Sequence, residues 1–267
     1  MTDSAGTLPT AVAMIGLGEA GRAIATDLVA LGVRVVGWDP VVKQVDGVLV
    51  TATATEAARG APVTLSVNSA SASRHVVQDL LPVLEAGQVF ADLNTGSPAL
   101  KQELGELVAP TGAQFVDIAL MTPVPGNGLR TPSLASGPGA RRFVEVMAPL
   151  GMPVEYVDDQ PGSAATRKLL RSIFIKGLHA AFLEGYNTAA KLGWTDWYLG
   201  EVGTSLDVIN AAAIERILKG SKVHAVRRIH EMEAAADLVR EAGLTARVSV
   251  AAAEILRELS QSAEEPT

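Results

Sequence analysis

The sequence predicts an α/β protein, a doubly wound parallel sheet followed by an all-helical domain, with one long helix joining the two. Three observations lead there. Between Ala11 and about Asp158 short β-branched runs alternate with helical segments, the pattern of a parallel sheet covered by helices. Past Pro161-Gly162 the composition turns alanine-rich with helical spacing and almost no strand signal, from Ser163 to Leu259. The first apolar run also leads straight into Gly16-Leu17-Gly18-Glu19-Ala20-Gly21, a glycine spacing suited to a tight strand-to-helix turn.

In chain order, the strand candidates are Ala11–Leu17, Val33–Asp39, Val48–Thr51, Val63–Asn68, Val89–Leu93 and Gln114–Ala119, with weaker ones at Ser133–Ser136 and Val154–Val157. The Pro/Gly-rich stretch Thr122–Gly139 reads as loop with a short strand inside it. A joining helix is expected at about Ala164–Leu192, ended by Gly193. Further helices fall near Thr195–Gly200, Leu206–Leu218, Lys222–Glu241 and Thr245–Leu259, before a frayed tail at Ser260–Thr267. The expected domains are therefore residues 1–160 and 161–267.

Bulk composition narrows the function classes. The chain has 267 residues, enough to bury a substantial core, and 48% of them are hydrophobic. Acids outnumber Lys plus Arg by 29 to 22, for a formal charge of −7, which argues against coating a phosphate backbone; nucleic acid is not an expected partner. With no cysteine, disulfides and thiolate metal sites are excluded, and no metal site is predicted. His224 and His230 are misplaced for a shared helix face. The start, Met1–Pro9, lacks the pattern of an export signal, and no apolar run reaches the roughly 18 residues of a membrane span. A cytoplasmic protein is expected.

In the glycine turn, the first glycine allows the sharp bend, the second lets backbone approach a pyrophosphate, and the third lets helix pack on strand. The helix N-terminus then offers free N–H groups to phosphate. This is the dinucleotide-binding Rossmann arrangement, with Gly16, Leu17, Gly18, Glu19, Ala20 and Gly21 as cofactor contacts. Asp39 ends the second strand, where a carboxylate takes ribose hydroxyls and repels a 2′-phosphate, favouring NAD over NADP. Asn68, closing the fourth strand, joins the cofactor-binding set.

With these motifs the chain resembles the β-hydroxyacid dehydrogenase family, which includes 6-phosphogluconate and 3-hydroxyisobutyrate dehydrogenases and, more distantly, the imine reductases. Asp92-Leu-Asn94-Thr95-Gly-Ser-Pro98 looks like the family's D-x-S-T-x-x-P segment beside the nicotinamide ribose, a role the resemblance passes to Thr95 and Asn94. A bland alternative is that this pair caps the helix starting near Pro98. Asp117-Ile-Ala-Leu-Met121-Thr122-Pro123-Val-Pro125 stands where the family has D-A-P-V-S-G-G. Met121 and Thr122 replace carboxylate-binding donors, which implies an altered substrate and an atypical subgroup.

Gly162-Ser-Ala-Ala-Thr-Arg-Lys168-Leu-Leu-Arg171-Ser172-Ile-Phe-Ile-Lys176 is similar to the family's G-x-G-x-x-x-K-x-x-x-N, and Lys168 falls in the catalytic register. Ala164 replaces the second glycine and Ser172 the asparagine. Lys168, Ser172 and Lys176 recur every four residues on one helix face, with Arg171 beside them. A lysine suits alcohol–carbonyl exchange, since a base must take the hydroxyl proton as hydride leaves and an acid must return it. Burial and neighbouring cations bring the amine into range, and Arg171 and Lys176 are the expected cations. Arg171, Ser172 and Lys176 would hold an acid group of the substrate. His230 stands where the family's closing helix carries a substrate-contacting residue, while His179, Trp194, Trp197 and Tyr198 read as core or subunit contact. The resemblance implies a homodimer formed by the helical half. The expected activity is thus an NAD-dependent dehydrogenase or reductase for a small, anionic hydroxy acid or related compound. An imine reductase and a non-catalytic NAD-binding sensor are the alternatives.

Overall fold

The computed structural model describes residues 11–262; the readings of Met1–Pro9 and of residues 263–267 lie outside them. Eight strands form one sheet: β1 (Ala11–Ile15), β2 (Arg34–Trp38), β3 (Val48–Val50), β4 (Val63–Ser66), β5 (Val89–Asp92), β6 (Gln114–Leu120), β7 (Ser133–Ser136) and β8 (Val154–Asp158), in the order 3-2-1-4-5-6-7-8. The connections are helices α1 (Glu19–Ala30), α2 (Ala54–Ala58), α3 (Ala70–Leu80), α4 (Pro98–Val108) and α5 (Ala140–Met147). Strand order reverses at β1, so a crevice opens outside the carboxyl ends of β1 and β4, where open α/β sheets bind ligands.

The central strands are largely apolar because both faces are covered. Val12, Met14, Leu65 and Ala91 pack on one face with Ile24 and Leu28 of α1. Ile15, Phe90 and Phe115 pack on the other with Leu80 and Leu104. Strands β1 to β6 are parallel, as expected, but β7 runs antiparallel to β6 and parallel to β8. In the β5–β6 register, Asp92 lies directly beside Asp117.

The rest of the chain is helical: α6 (Ser163–Leu192), α7 (Thr195–Asp207), α8 (Ala211–Val223), α9 (Ala225–Glu241) and α10 (Val248–Ser262). The chain divides into a unit up to Arg171 and a unit from Ser172, so α6 begins in the first and ends in the second. Helix α7 runs past the expected stop at Gly200, and α8 starts only after Asn210, whose side chain accepts from the N–H groups of Ala212 (3.1 Å) and Ala213 (3.3 Å). The expected helix Lys222–Glu241 breaks at His224. Within the second unit, the Glu184 carboxylate caps α10. It accepts from the N–H groups of Arg247 (2.6 Å), Val248 (2.9 Å) and Ser249 (2.8 Å) and from Ser249 Oγ (2.8 Å). Trp194 and Trp197 are 62% and 61% exposed, so neither belongs to the core of this chain.

Candidate active site

Strand β1 delivers the glycine turn to the crevice, and packing explains two of its three glycines. Gly16 has φ +104°, and a Cβ there would lie 2.1 Å from the Val67 carbonyl oxygen. A Cβ on Gly21 would lie 2.0 Å from the Gly16 carbonyl oxygen. Gly18, by contrast, faces open space and is the N-cap of α1 without any side-chain cap. The exposed N-terminal turn, with Glu19 and Ala20 as its first helical residues, therefore keeps uncapped N–H groups beside a position where any side chain would intrude. That cradle fits the pyrophosphate of a dinucleotide. Leu17 contributes backbone only, because its side chain is buried against Gly37.

Asp39 follows β2 and reaches the same turn. One oxygen accepts from Leu17 N (2.8 Å), the other from the N–H groups of Val41 (2.8 Å) and Val42 (2.9 Å). Burial opposes its charge, but these three donors and Lys43 hold the carboxyl below its ordinary range, so it is an anion at neutral pH. It retains an acceptor site for a ribose hydroxyl.

From the turn, polar contacts run across the strand ends. Asn68 Nδ2 donates to the Ile15 carbonyl (3.0 Å) and to Ser66 Oγ (3.1 Å), and the Asn68 N–H donates to Asn94 Oδ1. Asn94, 4% exposed, donates in turn to Ser73 Oγ (3.0 Å) and to Asp92. Asn68 and Asn94 therefore brace the crevice, and Ser97, not Asn94 or Thr95, caps α4. Asp92 receives the ammonium of Lys101 at 2.7 Å, and the same ammonium lies 3.1 Å from Asp117. All three are at most 1% exposed. Burial pushes the Asp92 carboxyl upward, and Lys101 opposes that.

Lys168 emerges one turn into α6. Its Nζ donates to Thr95 Oγ1 at 2.9 Å, so two residues far apart in sequence meet at a small cleft that Asp117, Ile118 and Leu169 also line. Burial holds the Lys168 amine below the ordinary lysine range, Lys101 pushes it the same way, and Asp117 opposes them. The sequence reading assigned that effect to Arg171 and Lys176; the cation responsible is Lys101. Arg171 donates to the Met121 carbonyl (3.0 Å), tying the helix to the divergent loop, and the Met121 N–H is taken by the Pro132 carbonyl (2.8 Å). Thr122 is exposed.

The remaining predicted residues belong to the second unit. Ser172 and the exposed Lys176 continue α6, and His230 lies exposed on α9, 3.4 Å from Glu233. Sequence reasoning passed over Lys101. Its signal was a lysine on the apolar stripe of α4, aligned with Leu104, Gly105 and Val108, all of them buried.

Residues 11–129 match the NAD binding domain of 6-phosphogluconate dehydrogenase, and residues 189–259 match a domain of unknown function, DUF1932. The "Uncharacterized 28.5 kDa protein in 7S RNA 5'region" of Methanothermus fervidus is 27% identical over 144 residues, covering 54% of this chain and 55% of that protein, about half of each. Among solved structures, the conserved hypothetical protein from Sinorhizobium meliloti 1021 is 28% identical with a TM-score of 0.63, over 97% of this chain and 91% of that one. An imine reductase from Aspergillus terreus, solved in complex with NADPH4 and dibenz[c,e]azepine, is 20% identical with a TM-score of 0.80, over 96% and 95% of the two chains. At that identity the likeness shows the fold. Among the described residues, no helix is long and apolar enough to cross a membrane.

Proposed function

We propose that this chain, a member of the β-hydroxyacid dehydrogenase family by its 6-phosphogluconate dehydrogenase-type NAD-binding domain, exchanges hydride with a small hydroxy acid or the related carbonyl compound, using Lys168 as acid and base. The observation that carries this reading is the partly buried Lys168 amine, lowered in pKa and held 2.9 Å from Thr95 Oγ1. In alcohol oxidation the neutral amine takes the hydroxyl proton as the carbonyl forms; in reduction the ammonium returns it. A bound nicotinamide supplies or accepts the hydride. Thr95 fixes the direction of the amine. The Arg171 donors not turned to Met121 hold an acid group of the substrate. The Asp39 anion favours NAD over NADP by repelling a 2′-phosphate. Trp194 and Trp197, exposed on the helical unit, support a homodimer, since a monomer rarely leaves such a patch in water.

The test is a panel of hydroxy acids, polyols and cyclic imines with both cofactors, followed at 340 nm, with wild type and Lys168→Ala. Lys168→Ala is expected to lower kcat on the true substrate by roughly 10²–10⁴-fold and to remove the amine's limb from the pH profile. Loss of only a few-fold, with the profile unchanged, overturns the assignment. A second reading, imine reduction, is favoured by one feature: the Met121 N–H is already bonded to Pro132, so the loop offers a carboxylate one donor fewer. Turnover confined to cyclic imines would select it. NADH binding with no turnover across the panel would select a sensor.

A further inference from the structure

We propose that Lys101 and Asp117 form a buried positioning pair that fixes the first turn of α6 and the electrostatic setting of Lys168. The inference rests on Lys168 being the acid–base group, but its geometry stands apart from that reading. Helix α6 starts after Gly162 at φ +97°, a residue with no side chain to cap it, so the first N–H groups need acceptors from elsewhere. The sheet supplies them. Ala164 N donates to Ser136 Oγ (2.9 Å) and Ala165 N to Asp117 Oδ2 (2.9 Å), while Ser136 Oγ also donates to Asp117 Oδ2 (3.3 Å). Lys168 sits one turn beyond these two anchored residues, so its approach to Thr95 is set by where Asp117 and Ser136 hold the helix start.

Asp117 does this from a site of no exposure, next to a second buried carboxylate, Asp92. Two carboxylates side by side on neighbouring strands repel, and the ammonium of Lys101 between them is what lets both stand there. Lys101 is fixed in turn by the Asp92 carbonyl (3.0 Å). The charged groups acting on Lys168 are therefore Lys101 from α4 and Asp117 from β6, with opposite signs. On its own helix, Arg167 lies 3.9 Å from Glu155 of β8, and Arg171 faces the Met121 carbonyl. Neither Lys101 nor Asp117 donates to or accepts from Lys168. They act as positioning residues.

Opposite signs give a test that a merely structural role would not pass. The Lys168 amine is titrated in the full chain by competitive acetylation with isotopic acetic anhydride, its peptide being read by mass spectrometry. The protonation midpoint is expected to rise by roughly one pH unit in Lys101→Met and to fall by a comparable amount in Asp117→Asn. Lys101→Met alone leaves two facing carboxylates buried, so the paired variant Asp92→Asn/Lys101→Met is made beside it and carries the same expected rise. Midpoints that move in one direction in every variant, or stay put, overturn the proposal. The pH limb of turnover is then measured on the same proteins. If labelling midpoints part as stated while that limb stays fixed, the positioning pair stands and the acid–base role of Lys168 falls.

Discussion

The three glycines of the turn separate folding from binding, and alanine substitutions at Gly18 and Gly21 expose the difference. At Gly18, φ is −62° and ψ is −165°, values any residue adopts, and a Cβ meets nothing within 4 Å. Gly18→Ala is therefore expected to leave the fold unchanged or more stable by about 0.4–1 kcal/mol, through the stiffer unfolded chain. The same methyl stands where the backbone meets the pyrophosphate. Losing one charge-assisted hydrogen bond there costs about 1.5–3 kcal/mol, a roughly 10–100-fold rise in the NADH Kd. At Gly21 the added Cβ lies 2.0 Å from the Gly16 carbonyl oxygen, an atom unable to retreat because Gly16 N is bonded to the Trp38 carbonyl at 2.8 Å. Relief requires prising α1 from β1, an overpacking cost of about 1–3 kcal/mol. Urea unfolding followed by far-UV circular dichroism at matched protein concentration, with NADH titrations by energy transfer to the nicotinamide, measures both quantities. Equal stability losses in the two variants, or wild-type NADH affinity in Gly18→Ala, would refute the division.

Asp39→Asn keeps an acceptor for Leu17 N while removing the charge, so the NADH-over-NADPH preference should fall about tenfold; a wild type that already prefers NADPH sinks the argument. Glu184→Gln weakens the cap on α10 and should cost about 1–2 kcal/mol at neutral pH. Because burial is outweighed by its N–H donors, the folded Glu184 carboxyl lies below its unfolded value. Its stabilisation is present above the unfolded pKa and lost as pH falls through the folded one, so the wild-type advantage in Tm should vanish in acid below the ordinary carboxylate range. Light scattering on a sizing column should give twice the 27.7 kDa chain mass, and Trp197→Ala should shift that equilibrium toward monomer.

Every expected strand lies where the sequence placed it to within two residues, because strands buried on both faces read as apolar runs such as Val12-Ala-Met-Ile and Val89-Phe-Ala. Strand direction has no such mark. The link between β6 and β7, residues 121–132, is near the length at which a chain either returns as an antiparallel neighbour or crosses over. The helical half obscured its own breaks for a related reason. The alanines at 211–213, directly after residues 208–210, favour helix, so only Asn210, a good N-cap, marks the interruption, and His224 marks the next one with no comparable signal.

At the site, local motifs were legible and tertiary pairings were not. The glycine turn and the register of Lys168 are patterns within a dozen residues; the structure places the first directly after β1 and brings the second to Thr95. Lys101 lies at a buried stripe position of α4, where its residue type argues for solvent, and the type is what a reader trusts. Its reason for being buried is set by two other segments: β5 and β6 start at the same level, Val89 beside Gln114, which puts Asp92 beside Asp117. At the roughly 4.8 Å strand spacing, two ionised carboxylates cannot stay in an interior without a cation. The helix between two parallel strands is the segment that returns over their shared edge, so a lysine in its apolar stripe is the side chain placed to answer both. Acids at matched positions of successive parallel strands, with a lysine out of place on the helix between them, therefore constitute a readable pattern. What makes it readable is the pairing register, which must be inferred before the lysine makes sense.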